Sequence, residues 1–249
     1  MIEIDDKLND KFRQQMDGRH DENEELEFRL IAKSYAMFEN SIAVLSNLRV
    51  GSSFIYFGRV SDILGFEPSG CYQKVDSVWE EEILCRIHID DQQRRNLQEL
   101  AYYHLVSTSH SDDAFAWHLE NTMRMSDKNG KYHPVIHRIF YFKGDGQRGI
   151  SYALCLYNLT SKVNKMATLK NTLTGEERCL NVEDKQRITD REKMILAKVC
   201  EGLPSKVIGE LLKISKHTVD RHRQNIISKL QVMNMTEACH KAKQLGFIE

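Results

Sequence analysis

The chain has no run of about 18 apolar residues, the length a membrane-spanning helix needs, so no membrane partner is expected. Its opening stretch, MIEIDDKLNDKFRQQMDGRHDENEE, is acidic and polar and lacks the apolar segment of a secretory signal. Six cysteines (Cys71, Cys85, Cys155, Cys179, Cys200 and Cys239) are scattered without a Cys-x-x-Cys pair. That usage fits reduced thiols in a cytoplasmic protein better than a disulfide framework or a zinc site. No phosphate loop, nucleophile elbow or receiver-type phosphoacceptor pattern is present. Proline is rare, at three residues. The remainder, 41% hydrophobic and 29% charged, is the composition of a globular chain, and 249 residues suffice for two domains.

Net charge is −1, but it is unevenly spread. Residues 185–249 carry 13 Lys and Arg against 7 Asp and Glu, a net of +6; the other 184 carry 22 against 29, a net of −7. A basic module on an acidic body suits nucleic acid, although ordinary surface variation also produces a difference of this size.

Residues 1–21 are highly charged with few apolar anchors and read as frayed. A helical pattern follows, with Leu26, Phe28, Ile31, Tyr35 and Phe38 at three- and four-residue steps; it packs on the next domain or pairs subunits. From Ser41 two short apolar runs, IAVLSNL and FIYF, flank a Gly-Ser turn and predict a β-hairpin. Short helices are expected at SDILGF, SVWEEEILCRI and DQQRRNLQELAYYHLVS. Three strand-like runs then follow, AFAWHLENTMRMS, KYHPVIHRIFYF and GISYALCLYNL, joined by the turn signals DKNG and KGDGQR. Strands, short helices and a meander in that order make an α+β domain.

Several strings resemble the PAS sensor fold over residues 41–161. FIYFGRVSDILGF is similar to its second strand and first short helix, IHIDDQQR to the "H-P-x-D" stretch opening its long helix, and ISYALCLYNLT to its closing strand. Asn158 replaces the Asp of that ending, and Ile89 the Pro after His88. The segment 162–187, rich in charge and poor in core residues, reads as a linker with one helical stretch.

The C-terminal segment is the most informative. Thr189-Asp190-Arg191-Glu192 is a capping box, and Gly202 stops the helix it opens. Ser205 can cap a second helix through Leu212, and Ser215 a third through about Leu230. Lys213-Ile214 leaves room only for a tight turn, which defines a helix-turn-helix. A fourth helix, from Thr236 to Gln244, ends at Gly246. On the third, Val219, Ile226, Ile227 and Leu230 form a core side, and His217, Arg221, Gln224 and Ser228 the opposite side. Arg pairs with guanine O6/N7 and Gln with adenine N6/N7, so this face suits a major groove; a solvated helix in a bundle is the bland alternative.

From Ile188 to Glu249 the string resembles the LuxR-type (GerE-like) DNA-binding domain. The family's "L-T-x-R-E" stands as Ile188 to Glu192, and its "G-x-x-x-K-x-I-A" as Gly202 to Gly209, with Lys206 and Ile208 in place. Its "I-S-x-x-T-V-x-x-H-x-x-N-I-x-x-K-L" matches without a gap from Ile214 to Leu230. The resemblance implies backbone contacts or caps from Lys206, Ser215, Thr218 and His222, base reading by Arg221 and Gln224, and phosphate contacts from Lys216 and Arg223. Asp220 stands where the family usually has Lys; it either accepts from cytosine N4 or orients Arg221. Val207 and Met235 also depart from the pattern.

His118, His133 and His137 fall on neighbouring strands without a second ligand pair at metal spacing. The "N-C-R-F" string of covalent flavin-binding PAS domains is absent, and His104 is only a loose match to a haem ligand, so no cofactor is assigned. An enzyme would need convergent titratable groups, and none is visible. The reading is thus an α+β PAS-like domain, an antiparallel sheet with short helices, followed by an all-α four-helix LuxR-type helix-turn-helix domain. Residues 1–40 form the charged segment and helix, 41–161 the sensor, 162–187 the linker and 188–249 the DNA-binding domain. Expected partners are duplex DNA, a second copy through Met235–Phe247 or Leu26–Phe38, RNA polymerase, and a small molecule in the PAS-like domain. The alternative is an adaptor whose PAS-like domain binds another regulator, with DNA contact secondary.

Overall fold

The computed structural model describes residues 11–12, 21–109, 112–144, 149–164, 166–180, 188–230 and 232–244. The chain divides into two units, one taking in residues 4–182 and the other residues 183–249. Among the described residues no helix is long and apolar enough to cross a membrane.

The first unit opens with α1 (Glu22–Phe38), whose N-terminal amides Asn23 and Glu24 donate to the Asp21 carboxylate. β1 (Ile42–Asn47) and β2 (Ser52–Phe57) form the expected hairpin. α2 (Arg59–Leu64), β3 (Tyr72–Val75), α3 (Glu81–Leu84) and the long α4 (Ile89–Thr108) follow. β4 (Trp117–Ser126), β5 (Tyr132–Phe142) and β6 (Tyr152–Leu159) make the meander, and β6 returns beside β1. The result is one antiparallel sheet in a PAS-like α+β arrangement, with strand order β3-β2-β1-β6-β5-β4-β7-β8.

The two-residue period of the strands sorts their side chains between two cores. Ile42, Val44, Ile55, Leu119, Met123, Val135, Ile139 and Cys155 share a core with Ile83, Tyr102 and Val106 of the intervening helices. Ala43, Leu45, Phe54, Leu154 and Leu156 pack on the opposite face with Ala32 and Ala36 of α1, flanked by Phe28 and Tyr35. The chain crosses tightly at Gly58, where a Cβ would lie 2.4 Å from the carbonyl oxygens of Ala36 and Ser41.

Several expectations are corrected. The segment 162–187 holds a hairpin, β7 (Ala167–Asn171) and β8 (Glu177–Leu180), which extends the sheet beyond β4 where a linker with a helical stretch was expected. On α1, Leu26, Ile31 and Phe38 are exposed while Phe28 and Tyr35 pack, so the apolar stripe is split between two sides. Phe12, in the stretch read as frayed, is buried against Trp79 and Tyr103; most of residues 1–20 lie outside the described residues. So do 145–148 of the KGDGQR turn and Gly246. Cys200 and Cys239, read as reduced thiols, are joined as a disulfide with Cα atoms 5.6 Å apart. A separation of 39 residues hides that proximity in the sequence.

The histidines go different ways. His118 stacks on Phe140, on the face opposite His137, and His133 bonds Asp127 at 2.9 Å. His104 is exposed on α4. The second unit consists of α5 (Asp190–Cys200), α6 (Ser205–Leu212), α7 (Lys216–Leu230) and α8 (Met235–Gln244) around Ile195, Leu196, Ile208, Val219, Ile226 and Ala238.

Candidate nucleic-acid interface

Local chemistry fixes the helices before any ligand arrives. Thr189 and Glu192 form the capping box: Glu192 N donates to Thr189 Oγ1 at 3.2 Å, and Thr189 N to Glu192 Oε2 at 2.8 Å. The same oxygen accepts from Lys229 Nζ at 2.7 Å, which ties the end of α7 to the start of α5. Burial alone would raise the Glu192 pKa, but the hydrogen bond from Lys229 and those from Thr189 hold it below the ordinary value. Arg191 donates to the Leu212 carbonyl at 2.8 Å and so pins the end of α6. The "T-x-R-E" string is therefore a bracket around both following helices.

Gly202, at φ 83°, ends α5, with Leu203 N donating to Lys198 O at 3.1 Å. The turn into α7 is made by Lys213, a left-handed non-glycine at φ 54°, and by Ile214 N donating to Gly209 O at 2.9 Å. A Cβ on Gly209 would sit 2.8 Å from the Ile214 carbonyl oxygen, so the crossing needs a small residue. Ser215 caps α7 as expected: Thr218 N donates to Ser215 Oγ at 3.0 Å. Ser205 does not cap α6, whose capping position is Pro204. Its buried hydroxyl instead accepts from Arg223 at 3.3 Å.

α7 has the expected two faces. Val219, Ile226 and Leu230 are buried, and His217, Arg221, Gln224 and Ser228 are exposed. Asn225 is exposed beside them, one turn beyond Arg221; the same three-and-four spacing could have found it. Lys206 is exposed near the start of α6, and Ser215 and Lys216 are exposed at the start of α7. Thr218, Asp220, His222 and Arg223 are half-buried. His222 Nδ1 is buried with no hydrogen-bond partner among the described residues.

Asp220 does not turn to Arg221. Hydrogen bonds from Ser205 and from Lys216, the latter at 3.2 Å, hold its carboxylate below the usual range, with Arg223 adding to the effect. Two of the phosphate candidates, Lys216 and Arg223, are thus drawn into a local Lys216–Asp220–Ser205–Arg223 cluster. The other cations and amides facing outward along α6, the turn and α7 are Lys206, Lys213, Arg221, Gln224 and Asn225.

Side-chain caps on α5 and α7, a turn too tight for a side chain at Gly209 and one polar outer face on α7 define a helix-turn-helix module. Residues 186–242 match the family described as "Bacterial regulatory proteins, luxR family", so this module is a LuxR-type (GerE) domain. The transcriptional activator protein SolR of Ralstonia nicotianae is 33% identical over 95 residues, 37% of this chain and 40% of that protein. The chain thus spans well under half the length of that curated relative. Among solved structures, the phage VqmA–DPO complex is 12% identical with a TM-score of 0.33, over 91% of this chain and 92% of that one. The N-terminal domain of a diguanylate cyclase with PAS/PAC sensor from Marinobacter aquaeolei is 18% identical with a TM-score of 0.33, over 48% and 94%.

Proposed function

We propose that this chain is a cytoplasmic transcriptional regulator. Its LuxR-type module (188–249) binds promoter DNA through α7, and its PAS-like domain, 41–161 extended by the β7–β8 hairpin, senses a signal or a partner. The observation that carries the reading is the outer face of α7, where Arg221 and Gln224 are exposed on a helix held at both ends, by Ser215 and by Lys229 with Glu192. Lys206 and the amide-rich start of α7 supply phosphate contacts, and Arg221 and Gln224 supply base contacts.

A single module reads one half-site, so the active form is a homodimer. α1 offers one pairing surface: Leu26, Leu30, Met37 and Phe38 are exposed, and a groove of about 490 Å³ lies between α1 and β2–β3. α8 is the other candidate. Contact with RNA polymerase belongs to the same reading.

The test is binding of the full chain to a promoter-fragment library at physiological salt. A regulator selects some fragments strongly, and Arg221→Ala then costs about 1–3 kcal/mol at the selected site and relaxes its preference. Uniform affinity for all fragments, unchanged by Arg221→Ala, would instead favour the adaptor.

A further inference from the structure

α8 is lightly anchored. Its ten residues are too few for a helix that stands alone in water, so it holds its shape by docking. Among its described side chains only Ala238 and Ala242 are buried, and each offers a single methyl group to the core. Asn234 caps its start by accepting from Glu237 N at 2.9 Å, and Lys241 donates to the Leu230 carbonyl of α7 at 2.7 Å. The covalent link is the bond from Cys239 to Cys200, the last residue of α5.

The pair sits where small reagents can reach it. Both cysteines are half-buried, and they line a pocket of about 430 Å³ with Val199, Leu203, Met235 and Arg223. Their Cα separation of 5.6 Å is the ordinary one for a disulfide, so the bond closes without moving either helix. The other four cysteines lie outside any disulfide, Cys155 buried and Cys71, Cys85 and Cys179 exposed. A cytoplasmic chain keeps its thiols reduced, and a pair that closes there is usually one that cycles. Arg223 joins the pocket to the recognition helix, since it also donates to Ser205 Oγ and acts on the Asp220 carboxylate. A guanidinium in the pocket favours the thiolate through which oxidation and exchange both run.

We propose that Cys200 and Cys239 are a reversible oxidation site for peroxide, and that their bond latches α8 onto α5 and α7 in the DNA-binding state. The inference rests on the DNA-binding and cytoplasmic readings above and supplies their regulation. In the closing direction hydrogen peroxide oxidises one thiol to a sulfenic acid and is itself reduced, releasing one water. The second thiol attacks that sulfur, the S–S bond forms, and the hydroxyl leaves with the second thiol's proton as another water. The two thiols together give up two electrons and two protons. A small dithiol opens the bond by two exchange steps and ends as its own cyclic disulfide. With the bond open, α8 keeps only its alanine contacts and polar ties, and the pocket wall beside Arg223 loosens. If α8 is then docked a tenth of the time, apparent DNA affinity falls about tenfold.

The full chain should be reduced with dithiothreitol and then, after its removal, treated with hydrogen peroxide, the Cys200–Cys239 bond being read by alkylation and peptide mass. Two readouts follow each state: amide exchange across α8, and anisotropy titration of promoter duplexes. Opening the bond should speed exchange of the α8 amides and weaken binding to a selected duplex, each about tenfold, and peroxide should reverse both. The double variant Cys200→Ser, Cys239→Ser keeps the other four cysteines; it should match the reduced parent and ignore peroxide. Both redox states are made on the parent itself, so the test holds even where the variant folds poorly. Equal α8 exchange in the two states, equal affinity for the selected duplex, or a peroxide response surviving in the double variant would overturn the proposal. Failure of the DNA reading looks different: α8 exchange follows the bond while neither state prefers any duplex. The oxidation site and its latch then stand, and DNA is not their output.

Discussion

Glu80 shows how a single carboxyl sets a pH response. It is 5% exposed, and desolvation raises its pKa from 4.5 to about 6, against hydrogen bonds from Ser53 and Ser46 and the charge of Arg95. Because the folded value exceeds the unfolded one, the native state holds the proton more tightly. Its contribution to stability is fully present below about pH 4.5 and is lost as pH rises to about 6. A shift of that size is worth about 2 kcal/mol at 1.36 kcal/mol per unit. Denaturant titrations of the parent and Glu80→Gln from pH 4.5 to 6.5 should show their stability difference changing by about that amount, and a difference constant with pH would refute it. At this scale the sequence was legible where a side chain works through its own helix. Arg221, Gln224 and the Ser215 cap stand where periodicity and capping rules put them. It is not legible where the partner comes from another element: Ser205, expected to cap α6, bridges to Arg223 of α7, and Asp220, expected to accept from cytosine N4 or to orient Arg221, takes a hydrogen bond from Ser205 of α6 besides its pairing with Lys216.

Among elements, α5 and α8 are joined by the bond between Cys200 and Cys239. A loop of 39 residues closed in this way removes unfolded-chain entropy worth about 3–4 kcal/mol in the chain-entropy model. Excess dithiothreitol, or Cys239→Ser, should lower the stability of the C-terminal unit by that order in denaturant titration of the full chain. Coincident curves with and without reductant would show that the clamp adds nothing. The strand–helix order of the PAS-like domain is readable because its long strands alternate cleanly, as in β5, where Val135, His137, Ile139 and Tyr141 are buried in turn. The short strands were hidden. β3 is exposed or half-buried throughout, so it carries no apolar signal. β7 does alternate, burying Ala167, Leu169 and Asn171, and Asn171 caps the following turn by accepting from Leu173 N and Thr174 N. Its small and polar core residues made the alternation read as linker. Both strands owe their pairing to neighbours already in the sheet.

For the whole molecule, the division into a +6 C-terminal segment and a −7 remainder matters more than the net −1. On duplex DNA the basic segment releases counterions, and log affinity falls against log salt with a slope of about −0.9 per phosphate neutralised. Within that segment Lys206 is exposed with no ion pair to another described residue, while Lys216 and Arg223 are held near Asp220 and Gln224 is uncharged. Lys206→Ala should therefore flatten the salt slope by about 1 for each chain bound while leaving the ranking of sites intact. Gln224→Ala should leave the slope as it is and cost about 1–3 kcal/mol only on sites that present adenine to it. Fluorescence anisotropy between 50 and 200 mM salt, on one selected and one unrelated duplex, reads both quantities. If the two substitutions change slope and preference alike, α7 does not lie in the groove with its outer face to the bases, and the division between positioning and reading is wrong. If they separate, the cluster around Asp220 has moved the phosphate grip from the recognition helix to the helix before it.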